Sequence, residues 1–388
     1  MADAGLPGTS RGTVMTDTVQ TEQALWRELA LRREVQGELI ARVRTPWAVR
    51  ALMGAAGWLG ALFFQMFFLG AVFVAVRENA AAIALTGLAM IALAAVLYGR
   101  SGTGIALGQF ALAVSLSGQG MAVYGVATVL GGERLVETAP FWVGLAVFEA
   151  LLYVLIPNRL HRFLAATGVW IGLAVAVHLL LTDSVRHAWL AIPWSLGWLA
   201  PAACALAAWF TVAEQRLCAA GRHVWLEPAM DATLLFALGA ALVVTGASHP
   251  LAWLEIPETV PLFTSARWLA GALVGVVLVG FAWMECQRLA LCGPATAVVL
   301  AGTAAFGVLM SAAPAVGAGA LALGLALRRA SLPWLGLGIA AIAIGFIWYY
   351  SSLHWTLLAK SATLVAAGIV LLGLRQWLMR GALVKEVA

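Results

Sequence analysis

From Ala51 to Leu374 the chain passes repeatedly through about 20 apolar residues with few or no charges, the length a helix needs to cross a hydrocarbon core about 30 Å thick. No soluble core requires such runs in succession. The composition agrees, because 63% of residues are hydrophobic and only 11% are charged, less than half of what a water-facing surface normally carries. Barrel strands would alternate apolar and polar residues over about 10 positions, so continuous runs specify helices. The sequence therefore predicts an all-α, polytopic transmembrane helix bundle.

Windows of about 20 residues divide the chain into about twelve spans. The first six are Ala51–Val76, Ala80–Tyr98, Thr103–Leu130, Pro140–Ile156, Phe163–Leu181 and Leu190–Val212. The second six are Asp231–Ala247, Ala266–Met284, Leu291–Ser311, Pro314–Leu327, Pro333–Tyr350 and Thr356–Leu374. The third is long and the tenth, after Pro314, is short enough to be tilted, re-entrant or merged with its neighbour. This gives a membrane domain over residues 48–375 and a short cytosolic tail over 376–388.

Basic residues orient a membrane protein by collecting on its cytoplasmic side. With both the N-terminus and the C-terminus in the cytoplasm, the outer connections hold only Arg77, Arg134, Arg186, Arg267 and Lys360 of the 23 lysines and arginines. The alternation fits an even number of crossings. It also accounts for the isoelectric point near 9.3 without any nucleic-acid partner. Trp348, Tyr349, Tyr350 and Trp355 cluster near the ends of the last two spans, as an interfacial aromatic belt does.

Residues 1–47 read as a cytosolic tail with no removable signal peptide. An amphipathic helix is expected over about residues 21–43, with Leu25 and Leu29 on one stripe, Leu31, Val35 and Leu39 on another, and Glu28 four residues before Arg32. It serves either as a docking helix or as a solvated helix with no partner.

Ionisable groups at membrane depth are costly and so point to function. Glu149 lies mid-span between Pro140 and Pro157, too deep to snorkel. It is either protonated or faces a polar cavity with a donor beside it. The preceding span carries Gln109, Ser115, Ser117, Gln119 and Tyr124, and Ser115 and Gln119, four apart, share a face. Two readings follow: Glu149 with Gln109, Ser115 and Gln119 lines a proton-linked cavity, or these groups hydrogen-bond to hold helices together. Lys360 and Arg267 lie close enough to the outer interface to reach it along their aliphatic stems.

The histidines are scattered over connections, and the cysteines Cys204, Cys218, Cys286 and Cys292 show no zinc spacing, so neither a metal nor a cofactor is expected. No phosphate-binding loop or nucleophile elbow occurs. Gly104-x3-Gly108 and Gly271-x3-Gly275 are positions where helices can approach closely. The connection from Ser248 to Ser265, with Pro250, Pro257 and Pro261, is either a stiff lid or a plain loop.

Two stretches resemble a family of uncharacterised bacterial multi-pass proteins, the domain-of-unknown-function 4401 family. One is Pro46-Trp47-Ala48-Val49-Arg50 leading into Gly57-Trp58-Leu59-Gly60-Ala61-Leu62-Phe63. The other is Tyr349-Tyr350, then Leu357-Leu358-Ala359-Lys360-Ser361 and Gly368, ending at Leu372-Gly373-Leu374-Arg375. The resemblance implies a multi-pass protein of the bacterial inner membrane with no established activity. It also implies partners beyond the lipid bilayer, namely a second polytopic membrane protein or a small membrane-associated protein. The expected function is a scaffold or subunit of a membrane complex. The alternative is a secondary, proton-coupled transporter with a cavity near Glu149; an intramembrane enzyme would need a compact set of reactive side chains, and only Glu149 qualifies.

Overall fold

The computed structural model describes residues 23–32, 46–68, 78–99, 104–182, 192–246, 260–291 and 293–352, together with Leu358, Ser361 and Val365. The chain divides into two compact units, Met1–Ala56 and Gly57–Ala388. In the first, residues 23–31 are helical and Arg32 donates to Glu28 one turn before it at 2.7 Å, both side chains being exposed.

The main helices are α1 (Trp47–Phe68), α2 (Ala80–Gly99), α3 (Ile105–Leu130), α4 (Ala139–Leu155), α5 (Arg159–Thr182) and α6 (Ile192–Ala219). They continue as α7 (His223–Gly246), α8 (Val260–Arg288), α9 (Gly293–Leu309), α10 (Pro314–Arg329) and α11 (Leu332–Ser352). A four-residue helix, Glu133–Val136, lies between α3 and α4.

Eight of these helices, and not about twelve, are long and apolar enough to cross a membrane among the described residues: α1, α2, α3, α5, α6, α7, α8 and α11. Three of the expected windows fail on length. The windows after Pro140 and Leu291 become helices of 17 residues, α4 and α9, and the window after Pro314 becomes the 16-residue α10. At 1.5 Å per residue these reach only about 24–26 Å. The twelfth window, Thr356–Leu374, lies outside the described residues apart from Leu358, Ser361 and Val365. The placement of both termini in the cytoplasm rests on an assignment of basic residues to alternate sides over twelve crossings, and that assignment does not carry over to eight candidate spans.

α10 differs from the rest because protein rather than lipid covers it. Ala315, Val316, Ala318, Leu321, Ala322, Leu325 and Ala326 are all buried. Its small residues let α11 come close: a Cβ built on Gly319 would lie 2.9 Å from the Gly338 carbonyl oxygen. The start of α10 is capped by its neighbour α7, where Thr245 Oγ1 accepts the Ala315 backbone N–H at 2.9 Å. The main core gathers around α7, with Met230, Leu234 and Ala241 packed among α6, α8, α10 and α11.

Two other seams position the groups of interest. α2 and α3 nearly touch backbone to backbone, since a Cβ on Gly118 would lie 2.7 Å from Gly87 O and one on Gly125 would lie 2.5 Å from Ala84 N. α4 packs on α5 through Ala146 and Glu149, which face Gly172 and Gly168. Of the two glycine pairs singled out above, Gly271 and Gly275 do meet neighbours, the Ser311 and Gly307 backbones, whereas a Cβ on Gly104 or Gly108 would meet nothing within 4 Å.

Candidate functional site

The polar side chains collect at one end of the bundle, where they form a collar across five helices. Arg329, in the last turn of α10, donates from Nε to both carboxylate oxygens of Glu214 on α6 at 3.0 Å. The same guanidinium lies 4.3 Å from the ring centre of Trp334 on α11. Trp334 Nε1 donates to Asp231 Oδ1 on α7 at 2.8 Å, and Asp231 Oδ2 accepts from Arg159, the first residue of α5, at 3.3 Å. Arg159 also reaches Glu227 at 3.4 Å. Beside this chain, Glu285 on α8 binds both Arg328 and Arg288.

Arg162 is buried, and among the described residues it has no carboxylate partner. Its Nε donates to the Tyr153 carbonyl at 3.1 Å and its terminal nitrogen to the Val224 carbonyl at 3.3 Å. Its charge also sits 3.9 Å from the ring centre of Trp225, so carbonyl dipoles and an aromatic face replace the water it loses.

A second polar cluster lies between α3 and α5. His161 is fully buried in the first turn of α5, not on a connection, because the helix begins at Arg159 and Asn158 caps it by accepting the His161 backbone N–H at 3.0 Å. His161 Nε2 lies 2.9 Å from Ser115 Oγ and 3.1 Å from Gln119 Nε2. An amide nitrogen can only donate, so with the Gln119 amide in this orientation Nε2 accepts. Nδ1 has no acceptor among the described residues.

The four proposed cavity residues therefore occupy three environments. Ser115 and Gln119 come together, as their spacing requires, but around His161. Gln109 accepts from Trp58 Nε1 at 3.1 Å. Glu149 is buried against Gly168 of α5, and among the described residues it has no hydrogen-bond or ion-pair partner. Gly168 lies seven residues beyond His161, a rise of about 10 Å, and no hydrogen bond joins Glu149 to Gln109, Ser115 or Gln119. Arg267 is half-buried near the start of α8, with no partner for its Nε among the described residues. Lys360 and the connection over 247–259 lie outside those residues.

Beneath the collar is a cavity of about 540 Å³, bounded by the end of α2, the starts of α3 and α5, and the first turns of α7. Arg159 and Asp231 stand on its wall with Tyr98, Gln109 and Asn158, while Leu112 and Phe163 make it apolar below. Tyr98 donates its hydroxyl to the Gly108 carbonyl at 3.0 Å. Glu149 is not on its wall. Asp231, Arg159, Glu214 and Trp334 carried no separate signal in the sequence, since the hydrogen bonds and ion pairs they form join residues 68 to 115 apart.

Among the described residues no group of three or more His, Cys, Asp or Glu side chains could hold a metal ion. No curated protein and no solved structure matches the chain. Residues 46–381 match a domain of unknown function, DUF4401, and the match covers every helix from α1 to α11. The chain belongs to the DUF4401 family and is a multi-pass protein of the bacterial inner membrane.

Proposed function

We propose that the chain is a structural subunit of a membrane complex, with a second polytopic membrane protein packed on the outer face of α9. The observation that supports this reading is the run of small side chains along the middle of that helix's exposed face. α9 turns Leu300, Thr303 and Phe306 inward, yet no residue of it is fully buried. The middle of its exposed face carries Ala297, Ala301 and Ala305 at four-residue spacing, with Gly302 and Ala304 beside them, and the larger exposed residues Val298, Val299, Val308 and Leu309 stand toward its two ends. Lipid-facing helices of this chain look different. α1 exposes Leu59, Leu62, Phe63, Met66 and Phe67, and α11 exposes Ile339, Phe346 and Ile347. Small residues at regular helical spacing belong where another backbone approaches.

Ala301→Trp is expected to abolish recovery of a stoichiometric partner when the chain is extracted from native membranes and weighed intact. Ile347→Trp, on a lipid-facing side, should leave it unchanged. A wild-type chain that carries only lipid, or a partner that survives Ala301→Trp, would overturn the proposal.

A second reading, a proton-coupled secondary transporter, draws on Glu149, a carboxyl group between apolar helices with no partner among the described residues. Glu149→Gln keeps size and hydrogen-bonding capacity while removing titration. On this reading, proton-driven uptake into proteoliposomes should fall by at least about tenfold, the loss expected for a proton-transferring group. A structural subunit would show no uptake to lose, and the variant would retain its partner.

A further inference from the structure

We propose that the cavity beneath the collar binds a zwitterionic headgroup, one phosphate and one ammonium on a short linker, as at the head of a phospholipid. The site stands apart from the α9 face and does not depend on it. Three observations carry it: the size of the space, the arrangement of charge on its wall, and glycines that keep it open.

At about 540 Å³ the cavity is within the range of small-molecule sites and larger than a single ion or water requires. Its wall holds opposite charges side by side, Arg159 and Asp231 at 3.3 Å, with Glu227 behind them at 3.4 Å from Arg159. A ligand bearing only a phosphate would gain Arg159 but face two carboxylates. A ligand bearing only an ammonium would gain the carboxylates but face the guanidinium. A zwitterion satisfies both, its phosphate taking guanidinium N–H groups that Arg159 does not give to Glu227 and Asp231, and its ammonium donating to Asp231. The Gln109 amide nitrogen is available as a further donor, because among the described residues only its oxygen is engaged, by Trp58. Leu112 and Phe163 below these groups suit a glycerol backbone and the first methylenes of an acyl chain.

The glycines give the space its depth. Gly104 and Gly108 both line the cavity, and a Cβ on either would meet nothing within 4 Å. Neither is spent on helix packing, unlike Gly118 and Gly125 on the same helix. The Cβ of a side chain at Gly108 would meet no protein atom, and a longer side chain there would compete with the ligand for the space.

The full-length chain in lipid nanodiscs of mixed phosphatidylethanolamine and phosphatidylglycerol, weighed intact, tests the proposal. One equivalent of phosphatidylethanolamine should be retained in preference to phosphatidylglycerol. Gly108→Leu and Arg159→Gln should each weaken that retention by at least about tenfold, the equivalent of about 1.4 kcal/mol. Gly280→Leu, at an open glycine far along α8, should not. Soluble phosphoethanolamine is the second arm: if it raises the thermal midpoint of the wild type and not of Gly108→Leu while no lipid is retained, the same chemistry comes from a free metabolite. Equal retention of the two lipids, or wild-type retention in Gly108→Leu with no effect of phosphoethanolamine, would overturn the proposal.

Discussion

Gly271→Ala is expected to cost the bundle about 3 kcal/mol or more of stability, at the upper end of what one added methyl group does in a packed interior. At Gly271 the methyl would lie inside the van der Waals shell of the Ser311 carbonyl oxygen, with the Ser311 carbonyl carbon next at 2.5 Å. These are backbone atoms and cannot turn aside. The Ser311 segment is itself held in place, since Ser311 Oγ donates to Val308 O at 2.7 Å and Ala313 N to Met310 O at 2.8 Å. One turn along, Gly275 and Gly307 face each other with their backbones close enough that a Cβ on Gly275 would meet Gly307 Cα at 3.4 Å. α8 therefore rests directly on the turn joining α9 to α10, and a methyl at Gly271 has to separate them. Gly280 on the same helix has nothing within 4 Å of its Cβ position, so Gly280→Ala should be neutral or slightly stabilising through helix propensity. Thermal unfolding in detergent reads both. Equal midpoints for the two variants would contradict the close approach on which the α8–α9 packing rests.

The contrast between Gly271 and Gly108 shows what could be read from the sequence alone. Both belong to four-residue glycine pairs on apolar helices, and spacing cannot tell a glycine that admits another backbone from one that borders a void. Hydropathy has the same limit at α10. Its run after Pro314 is apolar because protein covers it, and Ala315, Ala318 and Ala322 look no different in sequence from residues that face lipid. Counting that run as a crossing accounts for one of the three described windows that fall short, while α4 and α9 fall short on length. Arg328 and Arg329 do mark where α10 ends, and local signals of this kind were legible. Asn158, three residues before His161, is a signal of the same kind that the placement of the histidines on connections passed over: it caps α5 and puts His161 within that helix. The shared face of Ser115 and Gln119 also emerged from spacing. Their contact with His161, more than 40 residues away, did not, because no local periodicity encodes which helix becomes a neighbour.

The collar is the clearest case of such distant pairing, and it is expected to hold the helices' polar ends together. Removing Glu214 should cost about 2–3 kcal/mol, somewhat less than the 3–5 typical of breaking a fully buried pair, since part of the carboxylate is in contact with solvent. Arg329 is only 12% exposed and Glu214 26%. In Glu214→Ala the guanidinium keeps the face of Trp334 but loses both charge-assisted hydrogen bonds, leaving a cation with too little water around it. The effect should persist at high salt, because screening acts weakly on a pair so shielded. The double variant Glu214→Leu with Arg329→Leu should recover most of the loss, as no charge then remains to be satisfied. The exposed pair Glu28 and Arg32 gives the opposite expectation: Arg32→Ala should change stability by less than about 1 kcal/mol. If Glu214→Ala proved as mild as Arg32→Ala, or if salt abolished its effect, the collar would be a set of surface contacts. A large loss that the double variant reverses identifies it as the tie across α6, α10 and α11, with Trp334 carrying that tie on to Asp231 and the wall of the cavity.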